Sequence, residues 1–165
     1  MSLKRLTGIG IALVILAGFL AACGGVPKPT PVEVTINADA AVNPGETRLA
    51  SPVVIRIYEL KSLKAFNNAT YFDFDDEAKL LGADLISSRE FEMLPGTEKK
   101  YDREISSEAA YIGVVASFRD MQSAQWRDSV ELEKESQNRF MIYVTSLAIR
   151  IQKYSRFNFG KSPNS

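Results

Sequence analysis

The feature that most constrains this chain is an alternation of apolar and polar residues with a period of two, repeated from residue 32 to residue 151. Successive side chains of a strand point to opposite faces, whereas an amphipathic helix needs a period near 3.6. Val32, Val34 and Ile36 share one face of the segment 32–38. Val53, Ile55 and Ile57 share one face of 53–60, and Val54, Arg56, Tyr58 and Leu60 share the other. Apolar groups on both faces predict that something also packs over the outside of this strand. Ala110, Ile112, Val114, Ala116 and Phe118 line the core face of the strongest strand, 110–118. Further strands are predicted within 83–93, with Leu85 and Phe91 inward, over 98–105 as a polar edge strand, and over 126–132. In 139–151 the apolar positions change from even (Phe140, Ile142, Val144) to odd (Leu147, Ile149, Ile151). A bulge or tight turn therefore belongs near Thr145-Ser146. Seven or eight short strands separated by turns such as Leu94-Pro95-Gly96-Thr97 predict a mainly β fold, a two-sheet antiparallel β-sandwich.

One stretch breaks the alternation, residues 62–82, and reads as a small helical insert. Ser62 can cap a short helix carrying Leu63 and Phe66, and Thr70 with Asp73 forms a capping-box pattern that opens a second helical segment through Leu81. Phe66, Tyr71, Phe72, Phe74, Leu80 and Leu81 make this stretch the natural cover for the second strand. Plain core packing is the first reading of these aromatics; a pocket beside the insert, lined by Phe66, Tyr71 and Phe72, is the alternative. Asp73, Asp75, Asp76 and Glu77 lack the glycine and distal glutamate of a calcium loop and read as a charged helix start.

The N-terminus carries an address. Lys4 and Arg5 precede an apolar run from Leu6 to Ala22, which ends in Leu20-Ala21-Ala22-Cys23 around the only cysteine of the chain. Basic, apolar and small-residue regions in this order read as a cleaved secretory signal, residues 1–22, and the cysteine makes the site a lipobox, with Cys23 as the lipidated residue. Several acyl chains, at roughly 0.8 kcal/mol per buried CH₂, anchor a protein by themselves. Residues 23–31 then form a Gly/Pro tether, extended to roughly 25 Å by its prolines. Gly24 stands where an aspartate would signal inner-membrane retention, so the chain is expected on the outer membrane with its domain, residues 32–157, facing the periplasm. Residues 158–165 read as a disordered tail.

Composition narrows the chemistry. Cleavage leaves 143 residues, enough for one domain with a real core, and removes two of 20 basic residues against 20 acidic, a formal charge of −2. Such a balance points to neither nucleic acid nor an anionic membrane surface. With no histidine, Ser-His-Asp and Cys-His nucleophile pairs are excluded and few ligands remain for zinc or copper. Neither a cofactor nor a metal site is expected, and no enzyme. Arg119 and Asp120 read as a strand-end ion pair fixing their loop to Trp126-Arg127.

The connection between the first two strands, Asp39 to Ser51, is long for neighbouring strands and contains an Asn-Pro-Gly turn. Val42 and Leu49 have no core face of their own in it, which favours a partner; a solvated connection remains equally open on the residues alone.

The ordered set of features resembles a known family, the outer-membrane lipoprotein of the bacterial type VI secretion system (TssJ, or SciN). The matching residues are Asn43-Pro44, the segment Ser51 to Leu60, Phe66, Leu94-Pro95-Gly96, the segment Tyr111 to Asp120, Ala124 and Trp126-Arg127, with the lipobox and its spacing to the first strand. Ser117 departs mildly from the small apolar residue of the family pattern. The resemblance implies a transthyretin-like sandwich with a helical insert. It also implies a scaffold that binds the periplasmic C-terminal domain of the inner-membrane component TssM through the loop between strands 1 and 2. On this chain the loop tip would be Ala41, Val42, Asn43, Pro44, Gly45 and Glu46. An envelope lipoprotein holding a small ligand or glycan beside the insert is the competing reading.

Overall fold

The computed structural model describes residues 28–154. The signal, Cys23, most of the tether and the C-terminal tail lie outside the described residues. Eight strands form two sheets of four. The strands are β1 (Thr30–Ala38), β2 (Val53–Leu60), β3 (Leu85–Met93), β4 (Glu98–Ile105), β5 (Tyr111–Ser117), β6 (Arg127–Glu131), β7 (Asn138–Val144) and β8 (Ile149–Lys153). One sheet has the order β4-β1-β7-β8 and the other β3-β2-β5-β6. The pairing is antiparallel with one exception: β1 and β7 run parallel, Val32 opposite Asn138 through Ala38 opposite Val144. Strands β2 to β6 and the helical insert lie between these two strands, and that length lets β7 return in the same direction as β1.

The inner faces follow the alternation read from the residues. Val32, Val34 and Ile36 meet Val53, Ile55, Ile57, Ile112, Val114, Ala116, Phe140, Ile142 and Val144 in one core. Each valine, isoleucine or phenylalanine of this set contributes roughly 1.5–3 kcal/mol by leaving water. In β3, Met93 is the fully buried residue, while Leu85 and Phe91 are only half-buried, because β3 is the edge of its sheet. The change of phase near Thr145 is a tight turn between β7 and β8, closed by Thr145 N–H donating to Ala148 O at 2.8 Å. Along one flank the two sheets are joined: the Ile151 amide donates to Asp128 Oδ2 at 3.0 Å, and the Gln125 amide donates to Leu147 O at 2.8 Å.

The insert covers the outer face of β2 and β5. It comprises α1 (Lys64–Asn68), a 3₁₀ turn (Tyr71–Asp76), α2 (Glu77–Leu81) and a second 3₁₀ turn (Gly82–Asp84). Thr70 and Asp73 form the capping box, the Thr70 amide donating to Asp73 Oδ2 at 2.7 Å and its hydroxyl at 2.8 Å. Phe66 and Phe74 close over Tyr58 with ring centroids 5.5–6.0 Å apart, Phe66 edge-to-face on both partners and Phe74 tilted against Tyr58. Gly113 makes this approach possible: a Cβ there would lie 2.7 Å from the Phe66 ring. Arginines on the sheet pin the insert. Arg127 donates to the carbonyls of Phe66 (2.9 Å), Ala69 (2.6 Å) and Asn67 (2.5 Å), satisfying the open C-terminal end of α1. Arg56 donates to Phe74 O at 3.2 Å and pairs with Glu90 at 2.8 Å.

Candidate functional site

The connection 39–52 forms the end of the sandwich where β1 stops. Its first residues are tied down. The Asp39 amide donates to Val144 O at 2.8 Å, and Asp39 Oδ1 accepts from the Ala41 amide at 2.7 Å. Val42 then turns inward and is completely buried in the main core. This corrects the expectation that Val42 stands free for a partner: the loop folds back, with the Ser51 amide donating to Val42 O at 3.1 Å, and so gives Val42 a core to enter.

Asn43 is the fastener of this end. It is 3% exposed and sits at φ 49°, a left-handed conformation that asparagine tolerates better than most residues. Its side-chain amide donates to Pro52 O at 2.6 Å, and its Oδ1 accepts from the Arg119 amide at 2.7 Å. Its own backbone amide donates to Ser146 O at 3.0 Å. One residue thus joins the β1–β2, β5–β6 and β7–β8 connections.

Beyond Asn43 the chain makes a small closed tip. The Gly45 amide donates to Leu49 O at 3.1 Å and the Arg48 amide to Gly45 O at 2.8 Å, with Arg48 at φ 60°. Glu46, Thr47, Arg48 and Leu49 face solvent, Leu49 with 71% of its surface exposed. A groove runs between this tip and Arg119, Asp120 and Leu147 of the neighbouring connections.

The six residues assigned to the tip therefore divide. Ala41 and Glu46 are exposed, Pro44 and Gly45 are partly exposed, and Val42 and Asn43 are buried anchors. Leu49, read from sequence only as lacking a core face, is the most exposed apolar residue of the loop. Leu147, which the spacing groups with Ile149 and Ile151, instead lies half-buried in the turn before β8 and lines the groove, while nothing in the sequence pattern marks Arg48 as part of it; only the fold of the loops brings the two together. Cys23 lies outside the described residues.

Arg119 and Asp120 do not form the expected ion pair. The Arg119 backbone is held by Asn43, and hydrogen bonds from Ser123 keep the Asp120 carboxyl below the usual carboxylate range. The loop is held by backbone groups instead, as the Ala124 amide donating to Asp120 O at 3.1 Å illustrates. Trp126 and Arg127 serve the insert: Tyr71 and Phe74 pack on the indole, and the Arg127 guanidinium lies 4.7 Å from its centroid.

The residues of the alternative ligand pocket do not enclose a shared space. Phe66 is wholly buried against Tyr58 and Phe74, whereas Phe72 is 74% exposed. The acidic residues act as caps and struts. Asp76 accepts from the Lys79 amide at 3.2 Å, and Glu77 accepts from the Ser88 hydroxyl at 2.6 Å. Among the described residues no group of three or more Asp, Glu, Cys or His side chains converges to hold a metal ion, and no helix is long and apolar enough to cross a membrane.

Residues 30–147 match the family model T6SS-SciN, described as type VI secretion lipoprotein (VasD, EvfM, TssJ). Among solved structures, the type VI lipoprotein TssJ1 of Pseudomonas aeruginosa is 32% identical. That match covers 78% of this chain and 98% of that one with a TM-score of 0.75. Serratia marcescens Lip, described as a membrane-bound component of the type VI secretion system, is 27% identical over 78% of this chain and 99% of its own, with a TM-score of 0.71. A chain in a structure described as the TssM C-terminal domain from EAEC is 25% identical over 74% of this chain and 97% of its own, with a TM-score of 0.60. No curated protein sequence matches this chain.

Proposed function

The chain belongs to the type VI secretion lipoprotein family, and we propose that it serves there as a tether, fixed to the outer membrane by lipid on Cys23 and docked through the 39–52 loop onto the periplasmic C-terminal domain of TssM. The observation that carries the proposal is the placement of the two attachments. The tether enters at Thr30, and the docking loop begins after Ala38, at the other end of the same strand. At about 3.3 Å per residue, β1 separates them by about 26 Å. A strand is nearly inextensible, and β1 is hydrogen-bonded on both sides, to β4 and β7. Pull from the membrane is thus delivered straight through the sheet to the loop.

The loop suits docking because it is already built. Buried Val42 and Asn43 fix its base, so binding orders little new chain and the affinity lost to ordering is small. Its role is mechanical: acyl chains hold one end, shape and apolar contact hold the other, and no bond is made or broken. The family and the TssM domain named for a related structure support this choice of partner.

The test is fractionation of cells carrying Cys23→Ser. Loss of the chain from outer-membrane fractions is the expected result, together with retained binding of the soluble variant to the TssM periplasmic domain in a pull-down. Membrane retention of the variant would refute the anchor, and failure of the folded variant to bind would refute the docking.

A further inference from the structure

We infer that the docking surface has a second arm, the Leu94-Pro95-Gly96 turn, whose exposed leucine receives an apolar segment of the same partner; this rests on the docking reading above. Leu49 and Leu94, at 71% and 54% exposure, are two of four large apolar side chains exposed among the described residues. Both belong to the same end of the sandwich. The turn is bonded to the start of the docking loop: the Gly96 amide donates to Asp39 O at 3.2 Å, and the Ala38 amide donates to Thr97 O at 2.9 Å. A Cβ on Gly96 would lie 3.9 Å from Ala40, so the two segments are in near contact.

The turn holds Leu94 outward by backbone geometry. Pro95 fixes its own φ, and Gly96 adopts φ 72°, the pattern of a type II turn. The Thr97 amide and hydroxyl both donate to Leu94 O, at 3.2 and 2.7 Å. A leucine presented from so constrained a backbone loses little freedom when covered, which is the property of an anchor side chain. Exposed Ala40 and Ala41 continue the surface toward the loop tip, and the Asp39 carboxylate beside them is occupied by the Ala41 amide; Glu92 and Glu98 stand exposed on the strands that flank the turn. The charged groups Glu46, Arg48, Arg119 and Asp120 line the separate groove with Leu147. Leu94, Ala40 and Ala41 thus form a small apolar patch with exposed Glu92 and Glu98 at its rim, and an apolar partner segment is the chemistry that covers its centre.

The experiment titrates the detergent-solubilised lipoprotein with the TssM periplasmic C-terminal domain by calorimetry, comparing wild type, Leu94→Asp, Leu94→Asn and Leu49→Asp. Thermal unfolding first confirms that each variant is folded. The expected result is a loss of affinity of about tenfold or more for both Leu94 variants as well as for Leu49→Asp. Weakening by Leu49→Asp alone would overturn the second arm and leave the docking reading intact. Unchanged affinity for all three would overturn both.

Discussion

Replacing Asn43 tests whether the docking end is prebuilt. Asn43→Gly keeps the left-handed backbone and removes both side-chain hydrogen bonds, leaving Pro52 O and the Arg119 amide without their partner. Each buried group so orphaned costs about 1–3 kcal/mol. Water can reach the exposed Arg119 side of the site, so the sum belongs near the lower end, about 2–3 kcal/mol. Asn43→Ala loses the same bonds and also forces a β-carbon into the left-handed region, adding about 1–2 kcal/mol. Against a domain stability of roughly 5–15 kcal/mol, both variants stay folded at 25 °C. Urea unfolding of the purified chain measures the differences. The order expected is wild type, then Gly, then Ala. Equal stability of Gly and Ala would refute the backbone part of the argument, and two variants within about 0.5 kcal/mol of wild type would refute the fastener itself.

Two further perturbations probe the insert. Gly113→Ala should cost about 1–3 kcal/mol, because the new β-carbon meets the Phe66 ring at 2.7 Å. Urea unfolding of Gly113→Ala in a Phe66→Leu background should show a smaller penalty, and an equal one would place the clash elsewhere. Asp73 supplies a pH dependence. Hydrogen bonds from Thr70 hold its carboxyl below the usual carboxylate range in the folded chain, so its stabilisation is complete above the unfolded pKa and is lost as the pH falls through the folded one. Asp73→Asn should therefore narrow the difference in melting temperature between neutral and acid solution; an unchanged difference would remove the capping box from the account.

The sandwich was legible because its strands are half-buried and advertise period two. The cover over β2 was legible for the complementary reason, apolar residues on both of its faces. The capping box was legible because it is written in four consecutive residues. The parallel pairing of β1 with β7 was not, since alternation says which face a residue takes and nothing about which strand lies beside it. The buried state of Val42 was hidden for a related reason. A loop of thirteen residues can return a side chain to the core only through long-range hydrogen bonds, here between Asn43 and Pro52, Arg119 and Ser146, and no local pattern records these. The Arg119-Asp120 ion pair failed because adjacent charges say nothing of backbone partners, and here Asn43 and Ser123 take those roles.

The central claim is that the end of the sandwich remote from the lipid is what grips the partner. Calorimetric titration of the detergent-solubilised lipoprotein carrying Leu49→Asp, with the TssM periplasmic C-terminal domain in the syringe, tests it most directly. Leu49 is exposed and makes no core contact, so the unfolding temperature should not move, while affinity should fall by about tenfold or more. A stable variant that binds within about twofold of wild type would contradict the claim, since a hot-spot truncation changes affinity by far more.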